Sequence, residues 1–390
     1  MKLRLGVIFG GESVEHEVAV ISALQAINSI DREKYDVVPV YIAKNRIWYT
    51  GKDLLDIKNF RDIDLLLTKV KPVTLCRVNN EYVLMSTKGM FNKIVDKIDV
   101  AFPIVHGKNV EDGSLAGYLD TVGVPYVGST ILGSALGQDK VVLKDVLKAN
   151  DIPVVDSLWF YDNEYLLDKD KVISRVKKMG LPVVVKPACL GSSVGITFVK
   201  DESKLEEAID EAVSYDKKVL IEKAVSNLVE VNCSVLGNYE NQEPSVIEEV
   251  MSDNDILTFS DKYEGNSKSK GASKGMVNTD RIIPARIDKD LIKKIEDLSV
   301  KTFKVLNLSG VVRIDYLIDT KTKNVYVNEP NIIPGSLAFY LWEAKGKKYT
   351  ELLDDLVKLA IKDYKAKEKK TCSFDTNILK NFDGSKGTKK

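Results

Sequence analysis

The chain has few of the side chains that usually build metal clusters or covalent cross-links. It contains four cysteines, none in a C-x-x-C pair, and two histidines, His16 and His106. Such isolated cysteines predict neither a zinc site nor a disulfide framework, and they favour a reducing compartment. Either histidine can be structural, but His106 follows the apolar strand IDVAFPIV and is the better candidate for a site.

A net charge and a long apolar run are also missing. The 57 basic residues balance 57 acidic ones, so no excess charge is available to attract nucleic acid or a membrane surface. No apolar run approaches the roughly 20 residues that a membrane-spanning helix needs, and the first strand is not preceded by a signal-peptide core. We therefore predict a cytoplasmic protein with no nucleic-acid or membrane partner.

The length of 390 residues predicts two or three domains around a shared site. The N-terminal segment has the order strand, glycine turn, helix, strand, which indicates a βαβ unit, with Val14, Val18 and Ile21 on one face of the helix. From about residue 130 the sequence predicts a helix over 136–150 and then short strands with glycine turns, which are typical of antiparallel structure. The lysine-rich residues 371–390 are expected to form a solvated tail.

Acidic residues occupy a predicted hairpin near the C-terminal end. Asp315 lies on one strand, Glu329 on the next and Asn331 two positions later, so all three side chains can converge. Two carboxylates and an amide make a hard oxygen site suited to Mg²⁺. An ordinary solvent-facing hairpin would explain the spacing equally well, but the apolar neighbours imply a half-buried sheet, in which unpaired carboxylates are costly.

The segment KPACLGSSVG, residues 186–195, is a second candidate site. Lys186 ends an apolar strand, and the small residues after it leave backbone N–H groups able to cradle phosphate oxygens. The segment is not a Walker A motif, because the residue order differs and a strand follows. A simple hairpin turn would explain its glycines and serines too. The phosphate interpretation therefore depends on the magnesium-type site elsewhere in the chain.

Gly10 and Gly11 follow the first strand like half of a dinucleotide-binding fingerprint. The third glycine is missing, and Glu12 and Glu15 would repel a pyrophosphate. An acidic residue at this place suits an ammonium group, so a dehydrogenase is disfavoured. Lys262 lies in a long polar stretch with glycines at both ends, which is typical of a lid or of a plain surface loop.

Seven segments, in chain order, resemble the D-alanine–D-alanine ligase family of the ATP-grasp superfamily. They are GGESVEHEV (10–18), HGKNVEDGSLAGYLDTVGVPYVGS (106–129), QDKVVLK (138–144), VVVKPACLGSSVGI (183–196), DKY (261–263), VVRIDYLID (311–319) and NEPNIIPG (328–335). The resemblance implies an α/β, three-domain ATP-grasp ligase, in which an open parallel α/β domain is followed by two α+β domains that sandwich ATP. The implied divisions are an N-terminal substrate domain (1–129), a central ATP-grasp subdomain (130–226), a C-terminal ATP-grasp and metal-binding domain (227–370) and the tail (371–390).

Carried over by position, the resemblance also implies a site for ATP, Mg²⁺ or Mn²⁺, and two amino acids. The implied ATP-binding residues are Lys140, Lys186, Glu222, Val225, Glu230 and Lys262, and the implied metal ligands are Asp315, Glu329 and Asn331. The implied catalytic residues are Glu15, Ser192, Tyr263, Arg313 and Gly335, and the implied substrate-binding residues are Glu15, His106 and Ser336. In such a reaction the first carboxylate is phosphorylated, and the second amine attacks the acyl phosphate.

The sequence departs from the family after Gly335. There SLAFYLWEAKG replaces a longer segment whose hydroxyl helps to bind the second substrate's carboxylate, and Ser336 or Tyr340 are the candidates to replace that hydroxyl. The leading hypothesis is a homodimeric D-alanine–D-alanine ligase that serves peptidoglycan synthesis. The alternatives are a sister ligase that takes D-serine or another amino acid second, and a catalytically silent nucleotide-binding protein.

Overall fold

The computed structural model describes residues 2–89, 93–191, 194–251, 281–373 and 380. Three β-sheets organise these residues. The first sheet contains β1 Leu3–Gly10, β2 Tyr35–Ile42, β3 Trp48–Thr50, β4 Lys71–Val78, β5 Glu81–Ser86, β6 Ile94–Ile98 and β7 Val100–Val105. The second contains β8 Ser157–Tyr161, β9 Val183–Pro187, β10 Thr197–Val199 and β11 Lys218–Lys223. The third contains β12 Leu228–Gly237, β13 Gln242–Val250, β14 Arg281–Ile282, β15 Gly310–Asp319 and β16 Asn324–Asn331.

Helices flank these sheets. The α-helices are α1 His16–Ser29, α2 Ile63–Lys69, α3 Ser114–Val122, α4 Ile131–Gln138, α5 Lys140–Ala149, α6 Asp162–Leu167, α7 Lys169–Met179, α8 Leu205–Tyr215, α9 Lys289–Val305, α10 Phe339–Ala344 and α11 Tyr349–Glu368. Short 3₁₀ turns cover Lys52–Leu55, Ile57–Arg61, Glu202–Lys204 and Gly335–Ala338. Among the described residues no helix is both long and apolar enough to cross a membrane.

The first sheet contains the predicted βαβ unit but is not parallel throughout. Its strand order is β6-β5-β4-β3-β2-β1-β7. β1 runs parallel to β2 and β7, whereas β2 to β6 pair antiparallel. Asn79 and Asn80, both with positive φ, join β4 to β5, and so short a turn can connect only antiparallel strands. The sheet therefore confirms the predicted α/β fold of the N-terminal part, with a parallel core of β2, β1 and β7 and an antiparallel extension of β3 to β6.

The three apolar residues expected on one face of the first helix are not the residues that α1 buries. Val14 precedes the helix and is 58% exposed, and Val18 and Ile21 are only half-buried. The residues that α1 buries against its neighbours are mostly small: Ala19, Val20, Ser22, Ala23, Leu24, Ala26 and Ile27. Small side chains allow a helix to approach its neighbours closely, so the largest apolar residues do not mark the packed face here.

The helix predicted over 136–150 is two helices that meet at Asp139. This residue has an extended backbone and caps α5, because its carboxylate accepts the N–H groups of Val141 at 3.0 Å and Val142 at 3.2 Å. An aspartate at this position satisfies amide groups that the first turn leaves without a partner. The break makes Lys140 the first residue of α5.

The second and third sheets confirm the antiparallel structure predicted after residue 130. Their strand orders are β10-β9-β11-β8 and β14-β13-β12-β15-β16, and all the pairs are antiparallel. The predicted hairpin is β15–β16. The helix α9 precedes this hairpin and buries Ile295 and Phe303. The domain boundaries stay a prediction, and most of the tail at 371–390 lies outside the described residues.

The C-terminal helix α11 packs on the N-terminal sheet. Its Leu352, Leu356 and Val357 are buried in one cluster with Phe9 and Val100. At the edge of this contact the Asp354 carboxylate accepts the Tyr35 hydroxyl at 2.5 Å and pairs with Lys34 at 2.9 Å and Lys358 at 2.7 Å. Burial acts to raise the pKa of Asp354, but these partners outweigh it and lower the pKa to about 2.

Asp354→Asn is expected to reduce the free energy of unfolding by about 2 kcal/mol at neutral pH. Because the pKa of Asp354 is lower in the folded protein, its contribution is present above about pH 4 and is lost as the pH falls towards about 2. Urea unfolding of both proteins over this range measures the difference. Asp355→Asn, which removes an exposed partner of Lys347, should cost less than about 0.5 kcal/mol. Equal stability of Asp354→Asn and Asp355→Asn would contradict a stabilising role of the Asp354 carboxylate.

Candidate functional site

A cavity of about 650 Å³ is lined by residues of the second and third sheets, of α1 and of the loops that follow β1 and β7. It brings together most of the described residues that the sequence singled out. Those that line it are Glu15, His106, Lys140, Lys186, Glu222, Val225, Glu230, Arg313, Asp315, Glu329, Asn331 and Gly335. Ser192, Lys262 and Tyr263 lie outside the described residues, so their roles stay predictions.

The acids of the hairpin share one face of the third sheet. Asp315 lies directly opposite Glu329, and Arg313 lies opposite Asn331. Residues opposite one another and residues two apart on a strand point to the same side of a sheet. Asp315, Glu329 and Asn331 therefore lie on one face of the hairpin, and their role as metal ligands stays a prediction.

Cations and an amide contact these acids directly. The Arg313 Nε and Nη2 atoms donate to the two oxygens of Asp315 at 2.8 and 2.9 Å, and the Asn331 amide donates to Asp315 Oδ2 at 2.9 Å. Burial acts to lower the pKa of the Arg313 guanidinium, but Asp315 outweighs it and keeps this pKa well above its usual value. Lys140 lies 3.1 Å from Glu329 Oε2.

The donor set fits a hard cation. Among the described residues no three acidic, histidine or cysteine side chains cluster closely enough to hold a metal by themselves. A metal at the hairpin would therefore take the oxygens of Asp315, Glu329 and Asn331 and complete its shell with water or phosphate. That incomplete all-oxygen set is what Mg²⁺ uses beside nucleotide phosphates.

A buried cluster of charged side chains lies where the second sheet lines the cavity. Glu222, on β11, is 2% exposed. One of its carboxylate oxygens is 2.5 Å from Lys144 Nζ, and the other contacts Lys186 Nζ. Burial acts to raise the pKa of Glu222, but the two lysines outweigh it and lower the pKa to about 2. Lys186 is also 3.3 Å from the amide oxygen of Asn328.

The sequence analysis did not assign a role to Lys144. A signal was present, because Lys140 and Lys144 are four positions apart in QDKVVLK and so share one side of α5. Lys140 donates to the backbone oxygen of Leu190 at 2.9 Å and thereby connects the segment after β9 to Glu329. Lys140 and Lys144 thus connect the second sheet to the hairpin β15–β16, which carries the predicted metal ligands.

The lining of the cavity also contains Glu15, His106 and Glu111. Their loops lie close together, because Gly107 has a φ of +90° and an added Cβ there would lie 2.2 Å from Ser13 Oγ. The Gly107 N–H donates to Glu111 Oε2 at 2.7 Å. Burial, and next the Glu15 carboxylate, raise the pKa of Glu111 to about 8. Glu111 lies in the quoted motif HGKNVEDGS, but the sequence analysis did not assign it a role.

The two histidines have different surroundings. His16 is structural, because its ring contacts the Gly11 carbonyl oxygen at 2.6 Å and the Tyr41 hydroxyl at 2.9 Å. His106 is buried at the cavity wall, and its Nε2 has no hydrogen-bond partner among the described residues. Burial lowers the pKa of His106, although Glu15 opposes this. Of the two histidines, His106 is therefore the one whose ring can bind a ligand.

The first two residues of the turn at 335–338 lie in different surroundings. Gly335 lines the cavity, whereas Ser336 is buried against α1. The Ser336 hydroxyl donates to Gln25 Oε1 at 2.6 Å, and its N–H donates to Ser22 Oγ at 3.0 Å. A substrate-binding role for Ser336 stays a prediction. Tyr340 is the other candidate to replace the missing hydroxyl, and its hydroxyl donates to Glu248 at 2.8 Å.

An apolar slot lies beside Glu222. Val184 and Phe198 of the second sheet and Leu317 of the third contribute to its walls, together with Val225 in the connection between the sheets. Glu230 of β12 lies on the same lining. A flat apolar group next to a polar one, such as a purine with its ribose, matches this combination.

Two family models match the chain: D-ala D-ala ligase N-terminus over residues 4–129 and D-ala D-ala ligase C-terminus over residues 146–358. A D-alanine–D-alanine ligase from Thermosipho melanesiensis is 41% identical over 379 residues, which are 97% of this chain and 98% of the relative. The corresponding ligase from Natranaerobius thermophilus is 38% identical over 383 residues, covering 96% and 99%.

Solved structures of similar proteins include ligases with two different second substrates. The D-alanine–D-alanine ligase from Coxiella burnetii has a TM-score of 0.78 at 28% identity and covers 94% of this chain and 96% of its own. The VanG D-Ala:D-Ser ligase from Enterococcus faecalis has a TM-score of 0.75 at 27% identity and covers 92% and 100%. The chain therefore belongs to the D-alanine–D-alanine ligase family, a family of ATP-dependent ligases with the three-domain ATP-grasp fold.

Proposed function

We propose that this chain joins two D-alanine molecules into D-alanyl-D-alanine through an acyl phosphate, releasing ADP and phosphate, and that the dipeptide serves peptidoglycan synthesis. One observation carries the proposal: a single cavity is lined by the oxygen ligands of the hairpin, by Lys140 and Lys186, and by Glu15 and His106. Membership of the ligase family supports the same reaction. A homodimeric state and a cytoplasmic location stay predictions from the sequence.

The charges of the cavity suit the first half of this reaction. Glu15 binds the ammonium group of the first D-alanine, and Lys186 and Lys140 bind the phosphates of ATP. Asp315, Glu329 and Asn331 would hold a magnesium ion, which would neutralise part of the phosphate charge when bound. The first carboxylate then attacks the γ-phosphorus, which converts a poor electrophile into an acyl phosphate.

The second half requires stabilisation of a negative oxygen. The second amine attacks the acyl carbon, and the oxyanion faces the Arg313 guanidinium and the Gly335 N–H. Phosphate then leaves. Arg313 is suited to this task because its pKa is kept well above the usual value, so the charge persists throughout turnover.

A second candidate is a D-alanine–D-serine ligase. The altered segment after Gly335 favours it, together with the similarity to a solved ligase of that name. Both candidates share the acyl phosphate, so they differ only in the amine that attacks it.

Phosphate release with MgATP distinguishes these functions. The purified chain is expected to release phosphate with D-alanine alone and to form a product with the mass of the dipeptide. L-Alanine serves as the matched control and should give only background release. Release that requires D-serine in addition to D-alanine would support the second candidate, and no release with any pair of amino acids would contradict a ligase.

A further inference from the structure

The turn at 335–338, which carries Gly335 at the cavity wall, has an unusual backbone. Ser336, Leu337 and Ala338 are three consecutive residues with positive φ, of 50°, 55° and 50°. Glycine adopts this left-handed conformation readily, but in any other residue the Cβ atom comes too close to the following carbonyl oxygen. Such a conformation persists only where the surrounding structure imposes it. Contacts from outside the turn must therefore hold it in place.

Two polar residues of α1 supply these contacts. Ser22 Oγ accepts the Ser336 N–H at 3.0 Å, and Gln25 Oε1 accepts the Ser336 hydroxyl at 2.6 Å. Ser22 is 1% exposed and Ser336 is 4% exposed, so water cannot replace the first of these bonds. The Leu337 N–H donates to the Pro334 carbonyl oxygen at 2.8 Å and closes the turn. Both donors of Ser336 are therefore bonded to α1.

The same side of α1 reaches the cavity at its N-terminal end. Glu15 and Val18 line the cavity, and Ser22 and Gln25 follow them along the helix. These positions are spaced by three, four and three residues, and residues with such spacing lie on one side of a helix. One rigid helix therefore connects the residue proposed to bind the first ammonium group with the two residues that hold the turn.

The turn also determines the direction of the Gly335 N–H. In the proposed reaction this N–H and the Arg313 guanidinium stabilise the negative oxygen of the tetrahedral intermediate. Arg313 is held by Asp315 through two hydrogen bonds of 2.8 and 2.9 Å. The Gly335 N–H belongs to the main chain, so its direction depends on how the chain is held at the next residue, Ser336. The bonds from α1 to Ser336 therefore act on one of the two oxyanion donors.

We propose that Ser22 and Gln25 are positioning residues for the second half of the reaction, because they hold the turn in its left-handed conformation and so keep the Gly335 N–H directed at the cavity. This inference rests on the proposed ligase function and applies to either second amino acid. A hydrogen bond weakens steeply when its donor is misaligned. Loss of the contacts to Ser336 therefore slows the attack of the second amine, whereas the earlier phosphorylation of the first carboxylate is unaffected.

Two assays on the full chain separate these steps. Phosphate release with MgATP and the amino acids that the wild-type chain uses measures the complete reaction. Isotope exchange between the bridging and non-bridging β-phosphate oxygens of labelled ATP, with D-alanine present, measures the reversible formation of the acyl phosphate alone. Ser22→Ala is expected to lower kcat for phosphate release about tenfold, while KM for ATP stays within about twofold of wild type and the exchange rate falls by no more than about twofold.

Two further variants guard against a general structural effect. Ser129→Ala is the matched control, because Ser129 Oγ also accepts a buried backbone N–H from a distant residue, Ser309, at 3.2 Å, and Ser129 does not line the cavity. Its kcat should stay within about twofold of wild type even though its stability falls. Gln25→Leu removes only the acceptor of the Ser336 hydroxyl and should lower kcat about threefold, with the exchange rate again preserved. If Ser22→Ala is unfolded by circular dichroism, the Gln25→Leu result decides.

Several results would overturn the inference. An unchanged kcat in Ser22→Ala, or in Gln25→Leu where that variant decides, would show that the turn keeps its shape without α1. An equal fall in phosphate release and in isotope exchange would show a general loss of structure, and so would an equal fall of kcat in Ser129→Ala. Absence of phosphate release by the wild-type chain with every pair of amino acids would instead refute the proposed function, and the inference with it.

Discussion

Glu329→Gln is expected to reduce kcat for phosphate release by roughly a thousandfold, because the metal site would lose one of its two carboxylates. Glu329 lies directly opposite Asp315 and also contacts Lys140 at 3.1 Å. The variant keeps the size of the side chain but removes its charge. Turnover measured over a range of Mg²⁺ concentrations should show a weaker apparent affinity for the metal as well.

Asp319→Asn is the control for this prediction. Asp319 ends β15, the strand that pairs with the strand of Glu329. Its carboxylate accepts the Lys321 N–H at 2.9 Å, and it does not line the cavity. An asparagine can accept the same bond, so kcat should stay within about twofold of wild type. Near-normal turnover of Glu329→Gln would show that the metal ligands are assigned wrongly.

Lys144→Met is expected to reduce the free energy of unfolding by about 3 kcal/mol, because it removes one of two cations from a buried carboxylate. Lys144 and Glu222 are each 2% exposed, so water cannot replace the lost contact. The variant should also raise KM for ATP, since Lys186 would then neutralise Glu222 alone. Urea unfolding and phosphate release at varied ATP concentration measure the two effects.

Lys148→Met provides the matched control. Lys148 lies one turn further along α5 and is exposed, so this change should alter stability by less than about 0.5 kcal/mol. If the two variants were equally stable, the charge cluster around Glu222 would contribute nothing to folding.

The parts of the fold that local pattern determines could be predicted from the sequence. The hairpin β15–β16 is one example, because alternating apolar residues flank a short polar turn, although the register shift between Asp315 and Tyr316 is not readable from that pattern. The βαβ unit is another. The face of α1 could not be predicted, because more than half of the residues that the helix buries are alanine, serine or histidine, and the neighbours that select them are distant in the chain.

The residues of the candidate site also divide into those that the sequence could predict and those that it could not. Asp315 and Glu329 belong to one hairpin, so the sequence could place them near one another, and the family motifs then supplied the reaction. The register shift that sets Glu329 directly opposite Asp315 is a feature of the structure. Lys144 and Glu111 received no role from the sequence. Each acquires its surroundings from residues far away in the chain: Glu222 for Lys144 and Glu15 for Glu111.

The sequence by itself determined the class of chemistry, because carboxylates, lysines and small-residue turns stand in segments whose order resembles that of the ligase family. Only the tertiary structure decided which charges neutralise each other. Whether Glu222 holds one lysine or two depends on how α5 packs against the second sheet. Such contacts arise from packing between distant segments, and no local pattern in the chain records them.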